Sequence, residues 1–163
     1  MLFRSENAKK AHSLGTELET TWLPVKGLEL SAAVSLMQAE YDDYDLGSGI
    51  KLDGKDMEGA PGHSLRLSAT YHHPGGLYGR ADVRNVGNVH YYDDIARNVQ
   101  GADSYTLVNL KLGWLYGNFD IYAFARNLTD ETYINSFKSN ALTGGIAGFG
   151  DPRTIGVGLS YSF

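Results

Sequence analysis

The sequence predicts an all-β chain whose antiparallel strands form part of a transmembrane β-barrel. The strongest observation is the stretch Arg153–Phe163, in which large apolar residues alternate with Thr, Gly and Ser. A period of two residues is typical of a strand with two different faces. A strand of about 9–11 residues with aromatic side chains near its end can cross a bilayer. Two further observations agree: short and long connections alternate, and charges keep to one face of the predicted strands.

Seven stretches with strand periodicity follow one another along the chain. Short turns near residues 24–27, 74–76 and 116–118 alternate with long connections over residues 42–62, 93–103 and 127–152. Outer-membrane barrels combine short periplasmic turns with long extracellular loops. Trp22 and Trp114 both lie beside short turns, where a belt of interfacial aromatic residues is expected. The predicted strands cover residues 13–22, 28–41, 64–72, 77–92, 106–114, 119–126 and 153–163.

Charged side chains in these stretches fall on the face opposite Leu, Val and Ile. Because a charge at the middle of the bilayer costs about 2–4 kcal/mol, we expect this face to line a lumen. In the sixth strand this requires Tyr122 and Phe124 to point inward as well. The solvated face of a soluble β-domain would show the same alternation, and it is the regular connections and the terminal strand that favour a membrane barrel. The residues expected to face the lumen are Glu17, Glu19, Glu29, Arg66, Arg80, Asp82, Arg84 and Lys111.

Composition excludes several classes of protein. The 163 residues correspond to one domain, and the absence of cysteine excludes disulfides and cysteine-ligated metals. A net charge of −5 argues against a nucleic-acid partner. No run approaches the roughly 18 apolar residues of a membrane helix, so any spanning must be done by strands. Residues 1–7 lack the apolar segment of a signal peptide, so the chain is expected to be either not exported or a piece of a longer protein.

The sequence contains no recognisable catalytic or metal-binding constellation, so we expect neither an enzyme nor a bound cofactor or metal. His72 and His73 precede a Pro-Gly-Gly turn and are interpreted as exposed turn residues. The acidic run Asp42–Asp45 lacks the glycine and distal glutamate of an EF-hand and is interpreted as a solvated loop. The glycines of Gly144–Gly150 do not follow a strand that leads into a helix, so they do not indicate a phosphate-binding loop.

Three segments resemble the TonB-dependent outer-membrane receptors. Ala125–Tyr133 is similar to the Asn-Leu-Phe/Thr-Asp/Asn-x-x-Tyr segment of that family, and Gly150–Thr154 with the last strand is similar to its Gly-x-Pro-Arg ending. Upstream, Asn7–Glu19 is similar to the family's Asn-x-Gly-Lys-Ala…Gly-x-Glu-Leu-Glu segment, with Ala8 in place of the usual glycine. The resemblance therefore touches both ends of the chain.

The resemblance implies a 22-stranded barrel with an N-terminal plug domain, in the bacterial outer membrane. Residues 1–163 would be the C-terminal third of that barrel, without the plug domain. Such a receptor imports a scarce ligand such as an iron–siderophore. Its implied partners are outer-membrane lipid, the barrel-assembly machinery and, through parts missing from this chain, the TonB complex. About seven strands leave unpaired edges. Three arrangements would cover these edges: residues 1–9 as an eighth strand, self-association, or a larger assembly.

The resemblance also implies where functional residues lie. Ligand contact would come from extracellular loops, at Tyr91, Tyr92, Asp93, Tyr133 and Phe137, although each tyrosine could equally belong to the interfacial girdle. The aromatic residues of the last strand, Tyr161 and Phe163, resemble the signal that the barrel-assembly machinery reads.

Three rival interpretations stay open from the sequence. The first is a small, self-contained eight-stranded outer-membrane barrel with a structural or porin-like role. The second is a barrel-resident enzyme, which would need a nucleophile or a base pair at the extracellular rim. The third is a soluble β-barrel that binds a ligand.

Overall fold

The structure is a computed structural model that describes residues 10–45, 51–93, 98–140 and 144–163. Within these ranges the chain is built from strands joined by turns and irregular connections. No helix that is long and apolar enough to cross a membrane occurs in the described ranges. The strands are β1 (Lys10–Val25), β2 (Leu28–Asp43), β3 (His63–His72), β4 (Leu77–Val86), β5 (Val89–Asp93), β6 (Asn98–Ala102), β7 (Tyr105–Tyr116), β8 (Phe119–Arg126), β9 (Ile134–Asn140), β10 (Gly144–Phe149) and β11 (Thr154–Tyr161).

Seven of these strands form one antiparallel sheet in the order β1-β2-β3-β4-β7-β8-β11. The predicted all-β, antiparallel architecture is therefore confirmed. Strands β1 and β11 form the two edges, and within the described ranges they do not pair with each other. Residues 1–9, considered above as an eighth strand, lie outside the described residues.

The predicted short turns join neighbouring strands where glycine is required. Gly76, between β3 and β4, has a φ of 88°, which side chains disfavour. A Cβ atom there would lie 2.2 Å from the carbonyl oxygen of Leu115. A hydrogen bond also links the turn to β7, because the Leu115 N–H donates to the Gly76 carbonyl oxygen at 2.9 Å. Glycine at this position thus lets the turn pack against the neighbouring strand.

The long connections differ from the prediction, because two of them contain hairpins. Strands β5 and β6 pair with each other, as do β9 and β10, and both hairpins are separate from the main sheet. The predicted strand 77–92 is therefore wrong as a single strand: β4 ends at Val86 and β5 begins at Val89. At this break Gly87 packs against His63, and Asn88 accepts a hydrogen bond from the Ser104 N–H at 2.8 Å. These contacts turn the chain out of the sheet.

The cross-strand register gives the main sheet two different faces. Residues that pair directly share a face, and one row runs from Glu19 through Ala33 and Arg66 to Arg84. We call this side the charged face and the other side the apolar face. The apolar face carries Leu18, Leu112 and Val157, which are 68%, 69% and 84% exposed. The charged face carries Glu17, Glu19, Glu29, Arg66, Arg80, Asp82, Arg84 and Lys111.

Buried apolar side chains are few in the described residues. They lie towards the long connections and comprise Ala39, Tyr41, Leu52, Val86 and Ala102. A single sheet has no second layer to pack against. Large exposed apolar areas of this kind mark a surface that another apolar phase covers.

Candidate functional site

The two hairpins contact each other above the long-connection end of the sheet. The Ser139 hydroxyl on β9 donates to the Asp93 carboxylate on β5 at 3.0 Å. The rings of Tyr91 and Phe137, on the same two strands, are 5.9 Å apart. Asp93 is only 4% exposed. The structure therefore brings together Tyr91, Asp93 and Phe137, three of the five residues expected to contact a ligand.

Tyr133, immediately before β9, lies against the rim of the charged face. Its ring stacks on Tyr105 at a centroid distance of 4.2 Å and an interplanar angle of 24°. Tyr105 opens β7 and pairs with Val86 in the row that leads to Ser64, Ser35 and Glu17 on the charged face. A Cβ atom on Gly150 would lie 1.9 Å from the Tyr133 ring, so the ring occupies the space that this glycine leaves.

Tyr92 lies apart from the other four predicted residues. Successive side chains of a strand point to opposite sides, so Tyr92 faces away from Tyr91 and Asp93. Its backbone N–H donates to the Glu58 carboxylate, in the connection between β2 and β3. The same connection is held by His90, whose Nδ1 lies 3.0 Å from an Asp56 carboxylate oxygen. Tyr92 therefore belongs to the anchorage of the long connections.

Asn127 fixes the base of the β8–β11 connection, a role that sequence reasoning missed. It has a φ of 47° and is 4% exposed. Its side-chain nitrogen donates to the carbonyls of Glu131 and Asp151 at 2.8 and 3.0 Å. Its side-chain oxygen accepts from the Glu131 N–H at 2.9 Å, and its own N–H donates to the Asn109 side chain at 2.9 Å. One residue thus ties together β7, the turn after β8 and the approach to β11.

Asp130 and Arg153 form a second tie at the same place. The Asp130 carboxylate accepts from the Arg153 N–H at 2.9 Å, and its other oxygen lies 3.5 Å from the Arg153 guanidinium. The sequence does single out these two residues, because they belong to the two C-terminal segments that carry the family resemblance. That resemblance names the residues but not the bonds they form.

Below the rim, aromatic rings on the charged face cover glycines of the next strand. A Cβ atom on Gly158 would lie 2.3 Å from the Tyr122 ring, and one on Gly156 would lie 2.6 Å from the Phe124 ring. The register pairs Phe124 with Lys111 as well as with Gly156, which places it on the charged face. Tyr122 and Phe124 therefore point to the charged face, which is the orientation expected for the sixth predicted strand.

Charged groups on the charged face differ in the contacts that they make. The Lys111 ammonium lies 3.9 Å from the centre of the Tyr122 ring, a cation–π contact. The Arg80 guanidinium donates twice to the Asp82 carboxylate, at 2.6 and 2.8 Å. Arg66 and Arg84, in contrast, lie directly opposite each other on β3 and β4.

The other motifs weighed in the sequence form no metal site in the described residues. Within those ranges no group of three or more histidine, aspartate or glutamate side chains is arranged to hold a metal ion.

The C-terminal residues form an aromatic cluster at the opposite end of the sheet. Tyr161 lies 4.9 Å from the Phe119 ring and 6.1 Å from the Phe163 ring, and Phe163 is fully exposed.

Comparison with known families and structures gives a consistent result. The family described as TonB dependent receptor-like, beta-barrel matches residues 2–128. That match covers more than half of the chain.

Solved structures with the same fold include three receptors. The ferric yersiniabactin uptake receptor FyuA from Yersinia pestis superposes with a TM-score of 0.78 at 24% identity, over 96% of this chain and 24% of that one. The siderophore receptor PiuA from Acinetobacter baumannii gives 0.74 at 21% identity, over 93% of this chain and 22% of that one. The ferric preacinetobactin receptor BauA, also from Acinetobacter baumannii, gives 0.68 at 21% identity, over 94% and 22%.

At these identities the likeness shows the fold, and this chain spans less than a quarter of the length of each of those three receptors. The family match carries the assignment further, because its members are transport receptors and not enzymes. The chain belongs to the TonB-dependent receptor family and forms part of a β-barrel in the bacterial outer membrane.

Proposed function

We propose that this chain is the C-terminal part of the barrel of a receptor that imports a ferric siderophore with energy supplied by the TonB complex. The family match supports a TonB-dependent receptor. Structures of similar fold are named as receptors for ferric yersiniabactin, for ferric preacinetobactin and, more generally, for siderophores.

In this proposal the charged face lines the lumen and the apolar face contacts lipid. The reason is energetic, because a charged side chain at the lipid midplane costs about 2–4 kcal/mol. Short turns then lie at the periplasmic side and long connections outside the cell. The lumenal residues are Glu17, Glu19, Glu29, Arg66, Arg80, Asp82, Arg84 and Lys111, which share one face of the sheet.

The observation that carries a ligand-binding role is the aromatic cluster at the extracellular rim. Tyr91 and Phe137 come from two different long connections and their rings lie 5.9 Å apart. Tyr133, in the same connection as Phe137, stacks on Tyr105 at the rim of the charged face. Aromatic rings give a bulky chelate a rigid apolar surface, and the hairpins that carry Tyr91 and Phe137 are joined through Asp93. We therefore assign Tyr91, Asp93, Tyr133 and Phe137 to the ligand site, while Tyr92 anchors the neighbouring connection.

Uptake by the full receptor tests this proposal. In cells that lack other siderophore receptors, radiolabelled ferric siderophores from a defined panel are offered with and without a functional TonB complex. We expect one ferric siderophore to accumulate, with loss of TonB abolishing uptake but leaving binding to the cell surface. Uptake that persists without TonB, or no binding across the panel, would contradict the proposal.

Substitution at Tyr133 tests the site itself. Tyr133→Leu removes the stack on Tyr105, and we expect the Kd for the siderophore to rise about tenfold, or about 1.4 kcal/mol. Tyr133→Phe keeps the stacked ring and is the matched control, expected to stay near the wild-type Kd. Equal affinities of the Leu and Phe variants would exclude Tyr133 from the site.

A further inference from the structure

A groove of about 850 Å³ lies on the apolar face, close to the short turns. Its floor is made of small residues, Gly79 and Ala81 on β4 and Ala123 on β8, and its walls include Leu112 and Trp114 on β7. Leu112 is 69% exposed, so the wall stands clear of the sheet. The groove is therefore a depression in the apolar face and is open to the medium that contacts this face.

The cross-strand register explains why the groove has this shape. One row reads Tyr71, Gly79, Leu112, Ala123 and Val157 across five strands, so large and small side chains alternate. A Cβ atom on Gly79 would come within 3.1 Å of Leu112 Cδ2, so a larger residue would fill the floor. At the lower end, Trp114 Nε1 donates to the Gly75 carbonyl at 3.2 Å, which holds the indole beside the turn.

The end of the groove that meets the short turns carries one group suited to an anion, His73, and a lysine lies in the neighbouring turn. His73 lines the groove, and its Nδ1 accepts a hydrogen bond from the Gly75 N–H at 3.0 Å. That bond leaves the ring proton on Nε2, which is therefore a donor to solvent or to a ligand. Lys26 lies in the neighbouring turn, which is joined to this one by the His72 N–H donating to the Gly27 carbonyl at 2.8 Å.

We propose that this groove is a binding site for one glycerophospholipid of the leaflet on the side of the short turns. An acyl chain lies over Gly79 and Ala81, and the phosphate meets His73 Nε2–H and the Lys26 ammonium. An apolar channel that ends at a hydrogen-bond donor, with a lysine in the neighbouring turn, matches an amphiphile with an anionic head. The groove is continuous with the apolar face that an outer-membrane barrel presents to the bilayer, so lipid reaches it directly. The inference depends on the barrel assignment and is independent of the siderophore proposal.

Native mass spectrometry of the full receptor, purified from outer membranes in mild detergent, tests the acyl-chain part of the site. We expect the wild-type receptor to retain one phospholipid through extended washing. Gly79→Leu fills the floor and should lower the retained fraction at least fivefold. Thr16→Leu adds the same kind of bulk to the apolar face on β1, outside the groove, and should leave the retained fraction of phospholipid unchanged. Equal retention in Gly79→Leu and wild type would overturn the proposal.

The headgroup part has its own test in the turns, where substitution leaves the strands intact. The double variant Lys26→Glu with His73→Ala is washed free of lipid and then exposed to phosphatidylglycerol at defined concentrations. We expect at least fivefold weaker binding than wild type, and unchanged binding for Lys55→Glu, which alters a lysine of a long connection. Unchanged binding in the double variant, or a retained protein or second copy in place of phospholipid, would overturn the proposal. Ferric siderophore uptake measured in parallel reports on the receptor function separately.

Discussion

At the scale of single residues, the family motifs of this chain act as braces for a long connection. Asn127 adopts a left-handed φ that asparagine tolerates better than most residues. From that backbone it satisfies three backbone groups with one side chain. Asp130 also has a positive φ, of 57°, and holds the backbone N–H of Arg153. The β9–β10 hairpin can therefore project from the sheet while its base stays closed.

Asn127→Ala should loosen this base. The change removes three hydrogen bonds of about 0.5–1.5 kcal/mol each and forces alanine into a left-handed conformation that costs about 1–2 kcal/mol. We expect the free energy of local opening to fall by about 2.5–6.5 kcal/mol, measured by hydrogen exchange of residues 128–153 in the full receptor. Asn127→Gly keeps the backbone freedom and loses only the side chain, so it should show a smaller loss. Protection equal to wild type in both variants would show that the brace is unimportant.

At the scale of elements, strands β8 and β11 fit because rings on one lie over glycines on the other. Tyr122 covers Gly158 and Phe124 covers Gly156, and the covered glycines form part of the charged face of β11. Glycine weakens a strand interior because it offers no side chain to pack. Here the neighbouring strand supplies the missing packing, and the Lys111 ammonium contacts the Tyr122 ring at 3.9 Å from its centre.

Gly158→Ala should displace the Tyr122 ring, because the new Cβ would lie 2.3 Å from it. We expect a loss of about 1–3 kcal/mol from overpacking, measured as a lower thermal unfolding midpoint by circular dichroism in detergent. Gly101→Ala is the matched control, since nothing lies within 4 Å of a Cβ there. Combining Gly158→Ala with Tyr122→Ala should recover most of the added cost of the glycine change. Additive effects of the two changes would contradict the ring-over-glycine packing.

At the scale of the whole molecule, the sheet is open. Strand β1 has 16 residues and pairs with β2 alone among the described strands, and β11 pairs with β8 alone. Unpaired backbone groups at an edge are a template for another strand, and lipid supplies no substitute partners. The described strands therefore have the topology of a wall segment, in which neither edge strand has a second partner among the described strands.

The isolated chain, refolded in detergent, should form oligomers because its two edges need partners. Light scattering measures the mass of the protein component, and circular dichroism checks that β-structure is present. The full receptor in the same detergent serves as the control and should be a monomer. A monodisperse, heat-resistant monomer of the isolated chain would instead favour the small self-contained barrel.

Phe163→Ala in the full receptor should impair assembly and leave transport by assembled molecules unchanged. Phe163 is fully exposed and its ring contacts Tyr161 alone among the ring contacts of the described residues, so it contributes little to packing. We expect less receptor in the outer membrane, measured by membrane fractionation and heat-modifiable migration. Ser162→Ala is the neighbouring control and should insert normally. Membrane insertion unchanged in Phe163→Ala would exclude the assembly role.

The main sheet was predictable because its signals are local. Alternation such as that of Thr154–Tyr161 and the turn glycines each depend on a few consecutive residues. The separation of Glu19, Arg66 and Arg84 from the apolar residues follows from the same alternation, since antiparallel pairing preserves the faces of neighbouring strands. The sequence by itself therefore determined the fold class, the main strands and the two faces.

Only the tertiary structure decided how the long connections are built. The hairpins β5–β6 and β9–β10 depend on pairing that periodicity does not predict, which is why residues 77–92 were wrongly joined into one strand. The separation of Tyr92 from Tyr91, the brace at Asn127 and the rings over the β11 glycines all depend on contacts between residues distant in sequence. Such contacts are set by strand register and chain path, and those emerge only when the whole sheet has formed.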